Sequence, residues 1–254
     1  MTLKQGVQGD GIPLASPPKE REAMHWDLRD HVTHQAQMSE AFFLSMILAV
    51  SGGFQDAYTY MVRDHVYANA QTGNVVLMST NLIQGDWATA LRYLLPLISF
   101  ALGVILAEYL HIHFQNRGKL HWRQEVVAVE CAIMVAVGFM PQRLNMLANC
   151  LVSLACAMQV QSFRTVHGYG YASTMCIGNL RSCMAAVAMF LHDRDPICLM
   201  KVKYYLGVIL SFAVGAGIGG NLSPILRERA IWICFALLAF AFWLMNWKGR
   251  QENK

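Results

Sequence analysis

Two stretches of this sequence put groups capable of chemistry inside otherwise apolar surroundings. The first runs from Ser51 to Asn74 and reads SGGFQDAYTYMVRDHVYANAQTGN. It carries one carboxylate, Asp56, and a Gly73-Asn74 pair. The second runs from Cys156 to Asn179 and reads CAMQVQSFRTVHGYGYASTMCIGN. A displacement of 105 residues sets Gly73-Asn74 on Gly178-Asn179, and the same displacement sets Gln161 on Asp56, Ser162 on Ala57 and Phe163 on Tyr58. An ionisable group at membrane depth is costly without a partner, so Asp56 is read as a site for a proton or a cation. Arg181, two residues beyond Asn179, is its candidate partner, and a purely structural buried pair is the competing reading. Asn74, Asn179 and Gln161 are candidates to hydrogen-bond a substrate. The bland alternative is bonding between helices, at roughly 1 kcal/mol per contact. Gly52, Gly53, Gly73 and Gly178 permit close backbone approach or a break in a helix.

The elements that must position these groups are apolar runs. The 254 residues are 55% hydrophobic and 14% charged, against roughly 25% charged in soluble domains. A spanning helix needs about 20 apolar residues. On that basis the sequence predicts an all-α, polytopic transmembrane bundle. Its helices are expected at 41–62, 66–84, 90–113, 125–141, 144–165, 171–191, 202–222 and 230–247. The fourth is short and carries Glu130, so seven spans are the alternative to eight. Residues 1–38 are polar and proline-containing and read as a flexible tail without a signal-peptide core. Residues 248–254 form a short basic tail.

With eight spans, Lys and Arg number 12 on the tails and even-numbered connections and seven on the odd-numbered ones. This predicts that both termini are cytoplasmic, in the cell (inner or plasma) membrane. The cluster at 117–123 argues the other way.

Helices three and seven share a second match. Ser99-Phe100-Ala101-Leu102-Gly103 resembles Ser211-Phe212-Ala213-Val214-Gly215, at an offset of 112. Two matches in one order predict two tandem four-helix repeats, 41–141 and 144–247. Four spans is an even number, so the halves are expected to share one orientation, as a parallel repeat. In each half the acid or amide and the Gly-Asn pair stand nine residues from the intervening turn. That is about 13 Å at the helical rise, close to the bilayer midplane.

Composition also excludes. The net charge of +4 comes without any basic patch interleaved with aromatics, which argues against nucleic acid. The seven cysteines are odd in number and lack a CxxC, and the nine histidines show no HExxH. No metal and no cofactor is expected.

At GGFQDAYTY, ANAQTGNVV, AMQVQSF and CIGNLRS the chain resembles the YoaK-like family of bacterial multi-pass membrane proteins, grouped under a domain of unknown function. The resemblance covers residues 40–247 and implies architecture and membrane location, with no substrate. Where the pattern leads one to expect Thr-Gly-Asn in both halves, the second half has Ile177-Gly178-Asn179.

The residues together predict a secondary transporter or permease for a small molecule, with a polar site between the repeats. A non-transporting membrane scaffold or sensor is the alternative. An intramembrane enzyme comes third, since no nucleophile–base constellation is visible. The expected partners are the lipid bilayer, a small-molecule substrate with a proton or cation, and a second copy in a homo-oligomer.

Overall fold

The structure is a computed structural model of the chain. It describes residues 42–114, 122–166, 169–170 and 174–251. Apart from a two-residue antiparallel ladder (β1, Thr165–Val166; β2, Tyr169–Gly170), the regular elements are helices. They are α1 (42–62), α2 (Gln71–Ile83), α3 (Trp87–Phe114) and α4 (Trp122–Gly138), followed by α5 (Asn145–Ser162), α6 (Cys176–Asp193), α7 (Pro196–Leu226) and α8 (Trp232–Gln251). Among the described residues, three stretches are long and apolar enough to cross a membrane: Trp87–His113, Gln142–Ser162 and Pro196–Trp247.

The core is shared by α1, α4, α5 and α8, where Phe54, Tyr58, Met134, Val152, Cys234 and Leu238 are buried. The outer faces of α3, α6 and α7 expose Ile105, Leu191 and Val214, apolar side chains suited to lipid.

Helix directions follow from residue pairs. At the end of α1, Arg63 donates to Asn145 Oδ1 (2.9 Å), and Asn149 Nδ2 donates to the Arg63 carbonyl (2.7 Å). Further along, Cys156 Sγ donates to Gln55 Oε1, and Gln159 Nε2 donates to the Leu48 carbonyl. Rising numbers in α5 meet falling numbers in α1, so these helices are antiparallel. In α3, Gly103 abuts Leu154 and Ala157, and Glu108 accepts from Gln161, so α3 and α5 are parallel. Phe42 packs on Tyr204, Gly53 on Phe212 and Ala216, and Gly219 on Phe54 and Ala57; α1 and α7 are therefore parallel. The Trp232 indole sits against Gly138 and Phe139, which brings the start of α8 to the end of α4.

Two sequence expectations are corrected here. A span at 66–84 is not formed. Asp64 and His65 take positive φ (62° and 57°), which ends α1 and reverses the chain. Residues 66–70 then run back along α1 without helix. Tyr67 stacks on Tyr60, the Asn69 amide reaches Asp56, and Asn69 Nδ2 reaches the Gly52 carbonyl. Residue 69 thus lies beside the middle of α1, and α2 begins there. Its 13 residues measure about 20 Å, too short to cross. Because α3 is antiparallel to α1, α2 leads back to the end of the molecule where α1 finishes.

The second half dips in the same way from the other end. Thr174 lies against Gly52 at the middle of α1, and α6 begins at Cys176 instead of the expected 171. It runs to the start of α7, which is the end where α1 begins. The shared orientation of the halves is therefore also corrected. α1 and α5, the first helices of the two expected repeats, run antiparallel.

Smaller differences concern helix ends. α4 ends at Gly138, α7 extends from Pro196 to Leu226 and α8 from Trp232 to Gln251. Asp195 caps α7 by accepting from the Ile197 amide, with Pro196 at the first helical position.

Candidate functional site

The two dipping segments meet at a cavity of about 850 Å³. Asp56 and Tyr60 of α1 line it, together with Asn69 and Gln71 at the start of α2. Leu97 and Phe100 of α3, Thr174 and Cys176 at the start of α6, and Phe212 of α7 complete the wall. The walls are mostly apolar and aromatic, with few polar groups.

Asp56 is the one carboxylate among these lining residues, and no lysine or arginine is among them. Oδ1 accepts from the Asn69 amide at 2.6 Å, and the carboxylate leans on the neighbouring Ala68 and Ala70 amides. The group is 7% exposed. Helix α2 therefore starts with its amide end against an internal anion.

Asn69 is 8% exposed. Its Nδ2 donates to the Gly52 carbonyl at 3.2 Å, while its Oδ1 has no partner among the described residues. At the opposite wall α6 begins at Cys176, and its N-cap residue, Met175, makes no side-chain cap hydrogen bond.

The sequence-predicted residues separate into three groups. Asp56 and Gly178 line the cavity. Asn74 is buried behind it. Its side chain accepts from the Tyr67 amide (3.1 Å) and donates to the Tyr67 carbonyl (2.7 Å) and to Gln71 Oε1 (2.9 Å). It holds the 66–70 segment in place instead of bridging two helices. Asn179 is buried in the first turn of α6, and its amide donates to the Met175 carbonyl.

The other members lie elsewhere. Gln161 donates to Glu108 on α3, because α5 turns that face toward its parallel neighbour and away from α1. Arg181 is exposed on α6 and does not pair with Asp56, whose hydrogen bond goes to the Asn69 amide. Both expectations are corrected by helix direction: the start of α6 approaches Asp56, and its later turns lead away. Among the glycines, Gly53 meets the Phe212 carbonyl and Gly52 meets Thr174, whereas Gly73 faces the Tyr67 ring. The first two sit where neighbours approach too closely for a Cβ.

Four residues with buried or close contacts were not assigned to the site from the sequence. Arg63 is fully buried and donates to the Val137 and Met140 carbonyls at the end of α4. Its place in an Arg-Asp-His turn gives no hint of this. Asn69 and Thr174 did carry a signal, since the 105-residue displacement sets one on the other. Glu130 is 1% exposed, and its Oε1 has no partner among the described residues.

A family profile described as "Protein of unknown function (DUF1275)" matches residues 44–244. The chain belongs to this family. The UPF0700 transmembrane protein YoaK of Bacillus subtilis (strain 168) is similar, at 23% identity over 204 residues, covering 77% of this chain and 89% of that protein. No solved structure matches. The family assignment, the transmembrane relative and the apolar helices make this a membrane protein.

Proposed function

We propose that this member of the DUF1275 family is a non-enzymatic secondary transporter or permease for a small molecule. Its central cavity is the binding site, and its two halves form an inverted repeat in the cell membrane. One observation carries the reading: two broken segments, entering from opposite ends, begin their helices at one cavity that holds a lone acid. Inverted repeats with discontinuous helices and a midplane site are a recurrent transporter plan.

Symmetric contacts support the duplication. Gly103 of α3 abuts the Leu154 carbonyl of α5, and Gly215 of α7 abuts the Val50 carbonyl of α1. These pairs exchange under the sequence offsets to within one residue. Equivalent elements also run oppositely: α1 against α5, and α4 against α8.

The resulting topology has six full crossings and two re-entrant segments. It moves the 117–123 cluster to the side of the tails. Outside α6, that side then carries fourteen Lys and Arg. The other carries five: Arg63, Arg92, Arg143, Arg227 and Arg229. This asymmetry is sharper than eight spans allow, and it supports cytoplasmic termini.

One observation favours the scaffold reading. Asp56 and Asn74 direct hydrogen bonds to the 66–70 segment, which is a structural use. Cys176, at the cavity, separates the two. In right-side-out and inverted vesicles, a membrane-impermeant maleimide is applied and Cys176 labelling is read by peptide mass spectrometry. A transporter that alternates its access exposes Cys176 to both sides. Labelling from one side alone, or from neither, rejects transport in favour of the scaffold.

A further inference from the structure

Resting on the reading of the cavity as a binding site, we infer that its ligand is an apolar amino acid or a close analogue: a zwitterion whose ammonium lies by Asp56 and whose carboxylate lies at the start of α6. Charge balance comes first. The start of each half-helix carries roughly +0.5 of an elementary charge. Two such starts and the Asp56 carboxylate nearly cancel, with no other charged side chain among the lining residues. A ligand of net charge would upset that balance between mostly apolar walls, whereas one that is neutral overall preserves it.

The two halves then differ in a way that orients such a ligand. At α2 the internal carboxylate of Asp56 already occupies the amide end. The matching position in the second half is Gln161, which is neutral and turned to Glu108. The start of α6 therefore has no carboxylate of its own from that position, and its N-terminal residue lacks a side-chain cap. A ligand carboxylate fills there the role that Asp56 fills at α2.

The opposite pole is an acceptor pole. The Asp56 carboxylate lines the cavity and takes one backbone N–H, from Asn69, at Oδ1, which leaves acceptor capacity for an incoming N–H. The stacked Tyr60 and Tyr67 rings flank this pole and suit an ammonium. Between the poles Leu97, Phe100 and Phe212 offer apolar surface for a side chain.

The test uses the detergent-purified full chain and four probes: L-phenylalanine, L-leucine, phenethylamine and phenylpropionate. The readouts are protection of Cys176 from alkylation and the rise in melting temperature. We expect both amino acids to protect, with the amine-only and acid-only probes at least about 10-fold weaker. Asp56→Asn should weaken L-phenylalanine by about 10-fold with Cys176 still alkylated at the wild-type rate. The wild-type protection assay stands alone if that variant folds poorly. If phenethylamine or phenylpropionate protects as well as L-phenylalanine, or if neither amino acid protects, the inference is overturned. Two-sided labelling of Cys176 without protection would leave the transport reading intact and remove the ligand class. Protection with one-sided labelling would do the reverse.

Discussion

Arg63 fixes the arrangement on which the topology depends, and replacing it with alanine tests that arrangement directly. The guanidinium is fully buried and makes five hydrogen bonds: to Tyr58 Oη (2.8 Å), Asn145 Oδ1 (2.9 Å), and the Val137 (3.0 Å), Met140 (2.9 Å) and Pro141 (3.5 Å) carbonyls. Its charge meets the carbonyl end of α4, the pole that favours a cation. Arg63→Ala leaves several of these acceptors buried and unpartnered, at about 1–3 kcal/mol for each group that water cannot reach. Two or more such groups together set an expected total of about 3–5 kcal/mol. In a chain of this size that is a fall in melting temperature on the order of 10 °C, read by thermal unfolding in detergent. Arg63→Lys keeps the charge but loses the planar fork, and falls between. Arg143, exposed in the same region, supplies the control: Arg143→Ala should change stability by less than about 0.5 kcal/mol. If Arg63→Ala melts within about 1 °C of wild type, the packing of α1's end on α4 and α5 is wrong, and the antiparallel order of the halves falls with it.

Other outcomes follow from single contacts. A Cβ on Gly53 would lie 2.1 Å from the Phe212 carbonyl oxygen, and one on Gly215 2.0 Å from that of Val50. Leucine at either should force α1 and α7 apart and cost about 3 kcal/mol or more, whereas Gly217→Leu, facing open space, should be tolerated; the folded yield after gel filtration compares them. Asn74→Ala removes the three bonds that hold the Tyr67 segment and should cost about 1–3 kcal/mol. Faster amide exchange confined to residues 66–70 is its expected signature. Asp86, in the connection before α3, accepts from the Thr89 amide, and Thr89 holds its carboxyl below the usual carboxylate range. Because the folded value is depressed, the stabilisation is present near neutral pH and is lost as pH falls through that value. The melting-temperature gap between wild type and Asp86→Asn should therefore close on acidification, and a constant gap would contradict it.

How much of this was legible in the sequence differs from element to element. Apolar runs are a one-dimensional property, so the helices of the bundle and the membrane setting could be read from them directly. The displaced match of Asp56–Asn74 to Gln161–Asn179 also lies in the letters, and it marked the two segments that meet at the cavity. The orientation of the halves did not lie there. Residues 66–84 contain enough apolar side chains to pass for a span, and hydropathy cannot distinguish a helix that crosses from one that turns back. The difference is made by contacts distant in sequence. Asp56 captures the Asn69 amide, Asn74 clasps Tyr67, and positive φ at Asp64 and His65 sends the chain inward. Once α2 returns to its own side, α3, α4 and α5 reverse relative to the expectation, whereas α7 again runs parallel to α1 as expected. The partner of Asp56 then becomes a backbone amide in place of Arg181, and Gln161 turns to Glu108. The sequence by itself determined which residues are polar at depth and that they recur. Only the tertiary structure decided which of them face one another, because a hydrogen bond is made across space by groups whose separation along the chain carries no record of it.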